Sequence, residues 1–355
     1  MDRTRPRVST RRALIAGTSG FVAVGLLAAK RTSAQDATPE AAAEGARSFT
    51  LYSGRNETLV APLLEQCVAT PGATVDARFG STGEMAATIQ EEGDATPAAA
   101  FFAQDAGALG LLSEEGVFQI LPAEILDRVD ERFRDPEGRW VGITGRARVL
   151  AYNTEELAEA DLPSSVHDLT AEPWKGRIGW APENASFQAF VTAFRVLEGD
   201  DAARAWLEAM MANEPVNFAD SNSAIVEAIA AGEIDAGLVN NYYVYVIGAE
   251  QGPDFPVANH FFAAGDPGSL MNVAGIGVIE GSEGAEAALD FVSYLLSDEG
   301  QAYFAQNTYE YPTVVGADQP EGLPPLSDIG HPEINLTDLA DLQGTLALMA
   351  EVGLL

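Results

Sequence analysis

The residues with the most distinctive chemistry lie together at Asn240-Asn241-Tyr242-Tyr243-Val244-Tyr245. Adjacent tyrosines at a strand-to-helix junction can project two phenol oxygens into a cleft. A phenolate is a hard anionic oxygen donor and suits a hard trivalent cation such as Fe(III). A bound cation favours the deprotonated form of a group whose ordinary pKa is about 10. The same pair also suits core or interface packing. A second candidate is Asn184-Ala185-Ser186, at the start of an amphipathic helical pattern. Asn184 is a good N-cap, and the N–H groups behind it can hold an anion or simply begin a helix. A third is Arg146 and Arg148. In an extended segment this spacing puts both on one face, as anion ligands or as salt-bridge partners.

Other chemistries find little support. The one cysteine, Cys67, forms no intramolecular disulfide, and it sits on an apolar helix face as a core residue would. The three histidines, His167, His260 and His331, are far apart in sequence, which argues against a histidine-rich metal enzyme. His167 reads as a surface or helix-start residue and His260 as buried structure. No serine occupies a G-x-S-x-G elbow, and Gly275-Ile276-Gly277 lies inside a strand without the third small residue of a dinucleotide loop. Lys+Arg total 20 against Asp+Glu 53, a net charge of −33, which argues against binding nucleic acid or anionic membranes.

The elements that would position these residues follow from periodicity. Strands are expected at Ser48–Tyr52, Thr74–Phe79 and Ala98–Ala103, with helices after each, at Leu59–Leu64, Glu84–Glu92 and Gly107–Glu115. This alternation means an α/β domain with a mostly parallel sheet, whose ligands bind in loops at the carboxyl ends of strands. Those loops are Ser53–Glu57, Gly80–Gly83 and Gln104–Gly107. A second set has strands at Arg148–Tyr152, Ile178–Trp180, Ala236–Asn240 and Val273–Ile279. Its helices follow Asn184, then run over Ala202–Met211, Ser223–Ala231 and Ala285–Leu296. At 355 residues the chain suggests two domains.

Residues 1–34 differ from the rest. Five arginines precede an apolar stretch from Ala13 to Ala29, which ends at small residues. This is the pattern of an export signal, and the twin Arg11-Arg12 points to the Tat route for folded cargo, with a retained anchor as the alternative. Residues 35–47 are small and acidic and read as a flexible tether. Removing the net +6 of residues 1–34 takes the chain from −33 to −39.

These features occur in a recognisable order. The chain resembles the periplasmic ferric-iron-binding proteins of ABC importers, the bacterial transferrin-like group, across nearly all of residues 48–355. The matching stretches are Leu51–Glu57, Glu91–Pro97, Phe101–Asp105, Gly145–Arg148, Pro173–Arg177, Ser221–Ser223 and Asn240–Tyr243, with Asp266–Leu270 and Glu310–Pro312. The resemblance implies a two-lobe periplasmic-binding-protein fold of the α/β class, with a central cleft and crossing hinge strands near Gly145 and Asn272. Lobe one would be 48–145 plus 272–315, and lobe two 146–271 plus 316–355. It implies Fe(III) as cargo on Tyr242 and Tyr243. It also implies a synergistic carbonate or phosphate held by Asn184, Ala185, Ser186, Asn222 and Asn240, with help from Arg146.

Where some members carry a histidine and a glutamate as first-lobe ligands, this chain has Asn56 and Gln104. Asp105, Glu57 or Tyr52 could compensate. The implied role is that of a monomeric binding component, exported to the periplasm or the outer face of the cytoplasmic membrane. It would deliver a small ion to an ABC permease and catalyse no reaction. A metal-free small anion or organic solute in the same cleft is the alternative cargo. An exported metal-dependent hydrolase is the alternative class.

Overall fold

The computed structural model describes residues 47–69 and 73–355. The expected leader, the tether up to residue 46 and the side chain of Cys67 lie outside the described residues. The chain begins with β1 (Arg47–Ser53), α1 (Glu57–Ala69), β2 (Ala73–Phe79), α2 (Thr82–Glu92), β3 (Ala98–Ala103) and α3 (Ala106–Glu114). These strands pair in parallel in the order β2-β1-β3. β3 is apolar and buried at every position, as expected of a central strand covered on both faces. A short helix, α4 (Ala123–Leu126), leads to the 14-residue β4 (Trp140–Asn153).

The chain then builds β5 (Ile178–Trp180), α5 (Ala185–Glu198), α6 (Asp200–Ala212), β6 (Val216–Asn217), α7 (Asn222–Ala230), β7 (Ala236–Asn240), α8 (Tyr242–Gln251) and β8 (Val257–His260). Asn184 caps α5 by accepting from the Ser186 N–H, and Gly199 ends it at φ 92°. Between them Phe187, Phe190, Val191 and Phe194 are buried on one face. β9 (Met271–Val278) returns to the first half, followed by α9 (Ala285–Leu295), α10 (Asp298–Asn307), β10 (Tyr311–Pro312) and α11 (Leu342–Glu351).

The sheet order is β2-β1-β3-β9-β4-β7-β5-β6, with β8 and β10 both paired to β4. β4 and β9 are the crossing strands. From Trp140 to Ala147, β4 pairs with β9, and from Arg148 onward with β7 and β8. The expected parallel pairing is found in β2-β1-β3 and in β7-β5-β6, whereas every pairing of β4 and β9 is antiparallel. The physical reason is topological: a chain that leaves one half and later returns must cross in opposite directions.

After β10 the chain runs behind these crossings as a strap. The Tyr245 hydroxyl donates to Gly322 O at 3.2 Å, Gly265 N to Gly330 O at 2.8 Å, and Met271 N to His331 Nδ1 at 3.0 Å. A turn at Leu336–Ala340 then lies against α3. A Cβ on Gly107 or Gly110 would come within 2.7 Å of Leu339 O or Thr337 O. Helix α11 finally packs on α5 and α6, with the Thr192 and Thr345 hydroxyls 2.8 Å apart. Residues 316–355, expected wholly in lobe two, therefore touch both halves.

Candidate metal and anion site

A cavity of about 460 Å³ opens between the two halves. Tyr242 and Tyr243 line it from the second half, as the first two residues of α8. Their rings stack at 4.3 Å between centroids and 27° between planes. Burial pushes the Tyr242 phenol well above its ordinary value; Tyr243 beside it adds to that, and Arg146 opposes it. Without a cation this site holds Tyr242 neutral, and a bound trivalent ion would reverse the balance.

Asn184, Ala185, Ser186 and Asn240 line the same cavity. The Ser186 N–H (2.9 Å) and hydroxyl (2.5 Å) both donate to Asn184 Oδ1. Asn222 lies nearby in sequence to the lining residue Ser223, is 2% exposed, and has neither side-chain polar atom hydrogen-bonded. Arg146 and Arg148 are both buried. Arg146 donates to the main-chain oxygen of Gln104, while its Nε and Nη1 have no partner. Burial lowers its pKa, with Glu310 opposing. Arg148 reaches Leu238 O at 2.8 Å and the Ser186 hydroxyl at 3.4 Å, and lies 5.5 Å and 5.8 Å from the Phe187 and Phe190 ring centres. Burial lowers its pKa to about 9 against the attraction of Tyr243. A guanidinium keeps its proton in proteins, so this appears as an energetic cost of burial rather than a neutral arginine.

The first half contributes a wall that motif reading missed. Arg55 Nη1 and Nη2 donate to the two carboxylate oxygens of Glu310 at 3.0 Å and 2.6 Å, and Nη1 also donates to Gln104 Oε1 at 3.1 Å. Thr308 donates to Glu310 at 3.0 Å. Burial alone would raise the Glu310 pKa, but Arg55, Arg146 and the Thr308 hydroxyl outweigh it and leave the group below its ordinary value. Both Arg55 and Glu310 line the cavity. The signal for Arg55 was its place in the Ser53–Glu57 loop. Glu310 had none beyond its own short stretch, because its partner lies 255 residues away.

The remaining first-half candidates separate. Asn56 and Gln104 line the cavity, with the Gln104 side-chain oxygen engaged by Arg55. Asp105 is turned to other work: it caps α3 by accepting from Gly107 N and Ala108 N, and it lines an adjoining cavity of about 1020 Å³. Tyr52 does not reach the site, because its hydroxyl donates to Glu92 at 3.0 Å and accepts from Arg78 at 3.2 Å. Glu57 is exposed as the first residue of α1 and is absent from the lining. Among the described residues no cluster of three His, Cys, Asp or Glu could hold a metal.

Away from the site, His167 is partly exposed and contacts Glu198 at 3.1 Å; His260 is half-buried with Nε2 2.7 Å from Pro163 O. No helix among the described residues is long and apolar enough to cross a membrane.

Comparison with known proteins gives four concordant findings. Residues 97–328 match the family model described as bacterial extracellular solute-binding protein. The Fe(3+)-binding periplasmic protein of Serratia marcescens is 33% identical, over 88% of this chain and 93% of its own length. The crystal structure of iron-bound HitA from Pseudomonas aeruginosa superposes with a TM-score of 0.81 at 33% identity, covering 86% of this chain and 99% of that one. A Trichodesmium FutA structure in complex with iron and citrate ligands superposes at 0.77, with 28% identity, 87% of this chain and all (100%) of that chain covered.

Proposed function

We infer that this chain, which belongs to the bacterial extracellular solute-binding protein family, captures ferric iron outside the cytoplasmic membrane and delivers it to an ABC permease. It is a two-lobe binding component, and its work is capture and hand-over rather than bond chemistry. Our assignment of the ligands rests on one observation, the stacked Tyr242–Tyr243 pair at the mouth of α8, lining the interlobe cavity. Ferric iron prefers hard oxygen donors, and the two phenols release their protons to solvent as it binds.

An accompanying anion follows from charge. Arg55, Arg146 and Arg148 are buried around the site against the carboxylates of Glu310 and Asp105. A ferric ion on two phenolates adds further positive charge, which a divalent anion would cancel. Carbonate or phosphate would draw on Arg146 Nε and Nη1 and the Asn222 amide, whose donors are unpaired although neither residue lines the cavity as it stands. To use the Ser186 donors it must displace Asn184 Oδ1, which now takes both. Asn56 and Gln104 then face the ion as neutral amides or through water. We propose that the two halves close on this cargo by bending at β4 and β9, as binding proteins with a hinge do, and that the protein acts as a monomer.

The unpartnered atoms of Arg146 favour a second reading, in which the cleft takes a metal-free anion. A visible absorption titration of the metal-stripped protein with ferric nitrilotriacetate, in separate arms with bicarbonate, phosphate and citrate, tests both. A phenolate-to-iron charge-transfer band that vanishes in the Tyr242→Phe/Tyr243→Phe variant is the expected result. Anion affinity that survives full chelation, with no band in the parent, would replace the ferric reading by the anionic one.

A further inference from the structure

Two buried asparagines beside and on the crossing strands, Asn241 against β4 and Asn272 on β9, spend their side-chain oxygens on the main chain. Asn241 precedes the tyrosine pair and stands at the N-cap position of α8, yet its side chain makes no capping bond. Its Oδ1 instead accepts from Ala147 N at 2.9 Å, while its own N–H donates to Ala147 O at 2.9 Å. Ala147 is the last residue of β4 paired with β9, and Arg148 the first paired with β7. Asn241 thus clasps the crossing strand at the point where it changes halves. The Asn259 amide holds Asn241 O at 2.8 Å from the other side.

The second crossing strand repeats the device. Asn272 sits opposite Arg146 in the β4–β9 register. Its Oδ1 accepts from Ala106 N at 3.2 Å, and from Val273 N at 2.8 Å. Ala106 is the first residue of α3 and follows Gln104 and Asp105, so this clasp fastens the first-half wall. Asn241 and Asn272 are 0% and 5% exposed, and in both the Nδ2 group has no partner. A buried side chain that leaves its donor unpaired to place its acceptor is held there for geometry rather than for its own hydrogen-bond energy.

We propose that Asn241 and Asn272 are positioning residues that fasten the two walls of the cleft to the two crossing strands, so that bending of the hinge and alignment of the iron ligands are one movement. Asn241 sets the tyrosine pair against β4. Asn272 sets the Gln104 wall against β9. The two have separable signatures, because only the Asn241 side supplies phenol oxygens.

The inference rests on the ferric reading, and the experiment separates the two. Parent, Asn241→Ser and Asn272→Ser proteins, each shown folded by circular dichroism, are titrated with ferric nitrilotriacetate in bicarbonate. Serine is too short to reach either partner. Asn241→Ser is expected to lower ferric affinity by about 10- to 100-fold, the range seen when supports of metal ligands are removed, and to shift the charge-transfer band. Asn272→Ser is expected to release iron faster with the band unmoved. No band in the parent refutes the ferric reading itself. A parent band with Asn241→Ser unchanged in affinity and wavelength, or changed only as Asn272→Ser is, overturns the positioning role. Should Asn241→Ser fail to fold, Asn259→Ala, which removes the bond to Asn241 O, takes its place with the same expected band shift.

Discussion

Replacing Glu310 with glutamine removes one charge from a buried pair. The Arg55 and Glu310 side chains are 0% and 2% exposed, and the guanidinium meets the carboxylate through two hydrogen bonds. In the variant Arg55 keeps Gln104 Oε1 at 3.1 Å and the Phe102 and Phe304 rings at 5.6 Å and 6.0 Å, none of which cancels a full charge. Removing one partner of a buried pair costs about 3–5 kcal/mol, because the survivor is left buried and unpaired. The exposed pair Arg132–Asp130, at 49% and 33%, is the control, and its Asp130→Asn variant should cost less than about 1 kcal/mol. Urea unfolding of the iron-free protein at neutral pH measures both. Arg55→Met with Glu310→Met together should cost less than either charge removal alone, since no charge is then stranded. A loss for Glu310→Gln no larger than the control's, or a double variant costing the sum of the singles, would refute the reasoning. The pH dependence has a definite sign. The folded Glu310 pKa lies below the ordinary 4.5, so its stabilisation is complete above that pH and is lost as pH falls through the lower folded value.

Four further outcomes are expected. Either tyrosine replaced singly, Tyr242→Phe or Tyr243→Phe, should weaken the charge-transfer band of the loaded protein, and absorption spectra read this directly. Arg148→Met should leave the iron-free protein as stable as the parent or more so, because it removes a buried cation without a carboxylate partner, while ferric affinity falls about tenfold; urea unfolding and iron titration separate the two effects. His331 is held neutral, with its pKa lowered from 6.5 to about 4 by burial. It therefore contributes full stability above pH 6.5 and loses up to about 3 kcal/mol as pH falls to 4, a slope that His331→Leu should flatten in acid unfolding curves. Gly110→Ala would bring a Cβ within 2.7 Å of Thr337 O, so it should destabilise the protein and loosen Leu336–Ala340, seen as faster amide exchange there.

Much of the architecture was written locally. The first three strands and helices fell close to their expected bounds, because Ala98–Ala103 is continuously apolar and Asn184 followed by an aromatic stripe is a strong helix start. The first half of β4 was missed for a physical reason. Trp140–Ala147 is buried at every position, so it shows no alternation, and Gly142 and Gly145 interrupt its run of Trp, Val, Ile and Thr. A Cβ at Gly142 would lie 2.8 Å from Phe133 O, so close packing of backbone explains the glycine. The tyrosine pair was visible as a local run. Tyr52 misled because strand alternation shows that a residue changes face but not which face meets the ligand. Arg55 and Glu310 each lie in a short recognisable stretch, but nothing local pairs them, since only the fold brings the two together.

The strap has a consequence in time. Neither half is continuous along the chain: the first needs β9 beside β3, and the second needs α11 over α5 and α6. Helix α5 ends at Glu198, and α11 begins only at Leu342. During synthesis α5 therefore waits for its cover by α11 until residues 342–351 have emerged. Until then the second half is incomplete, and the strong negative charge of the chain helps keep the unfinished protein apart from its neighbours.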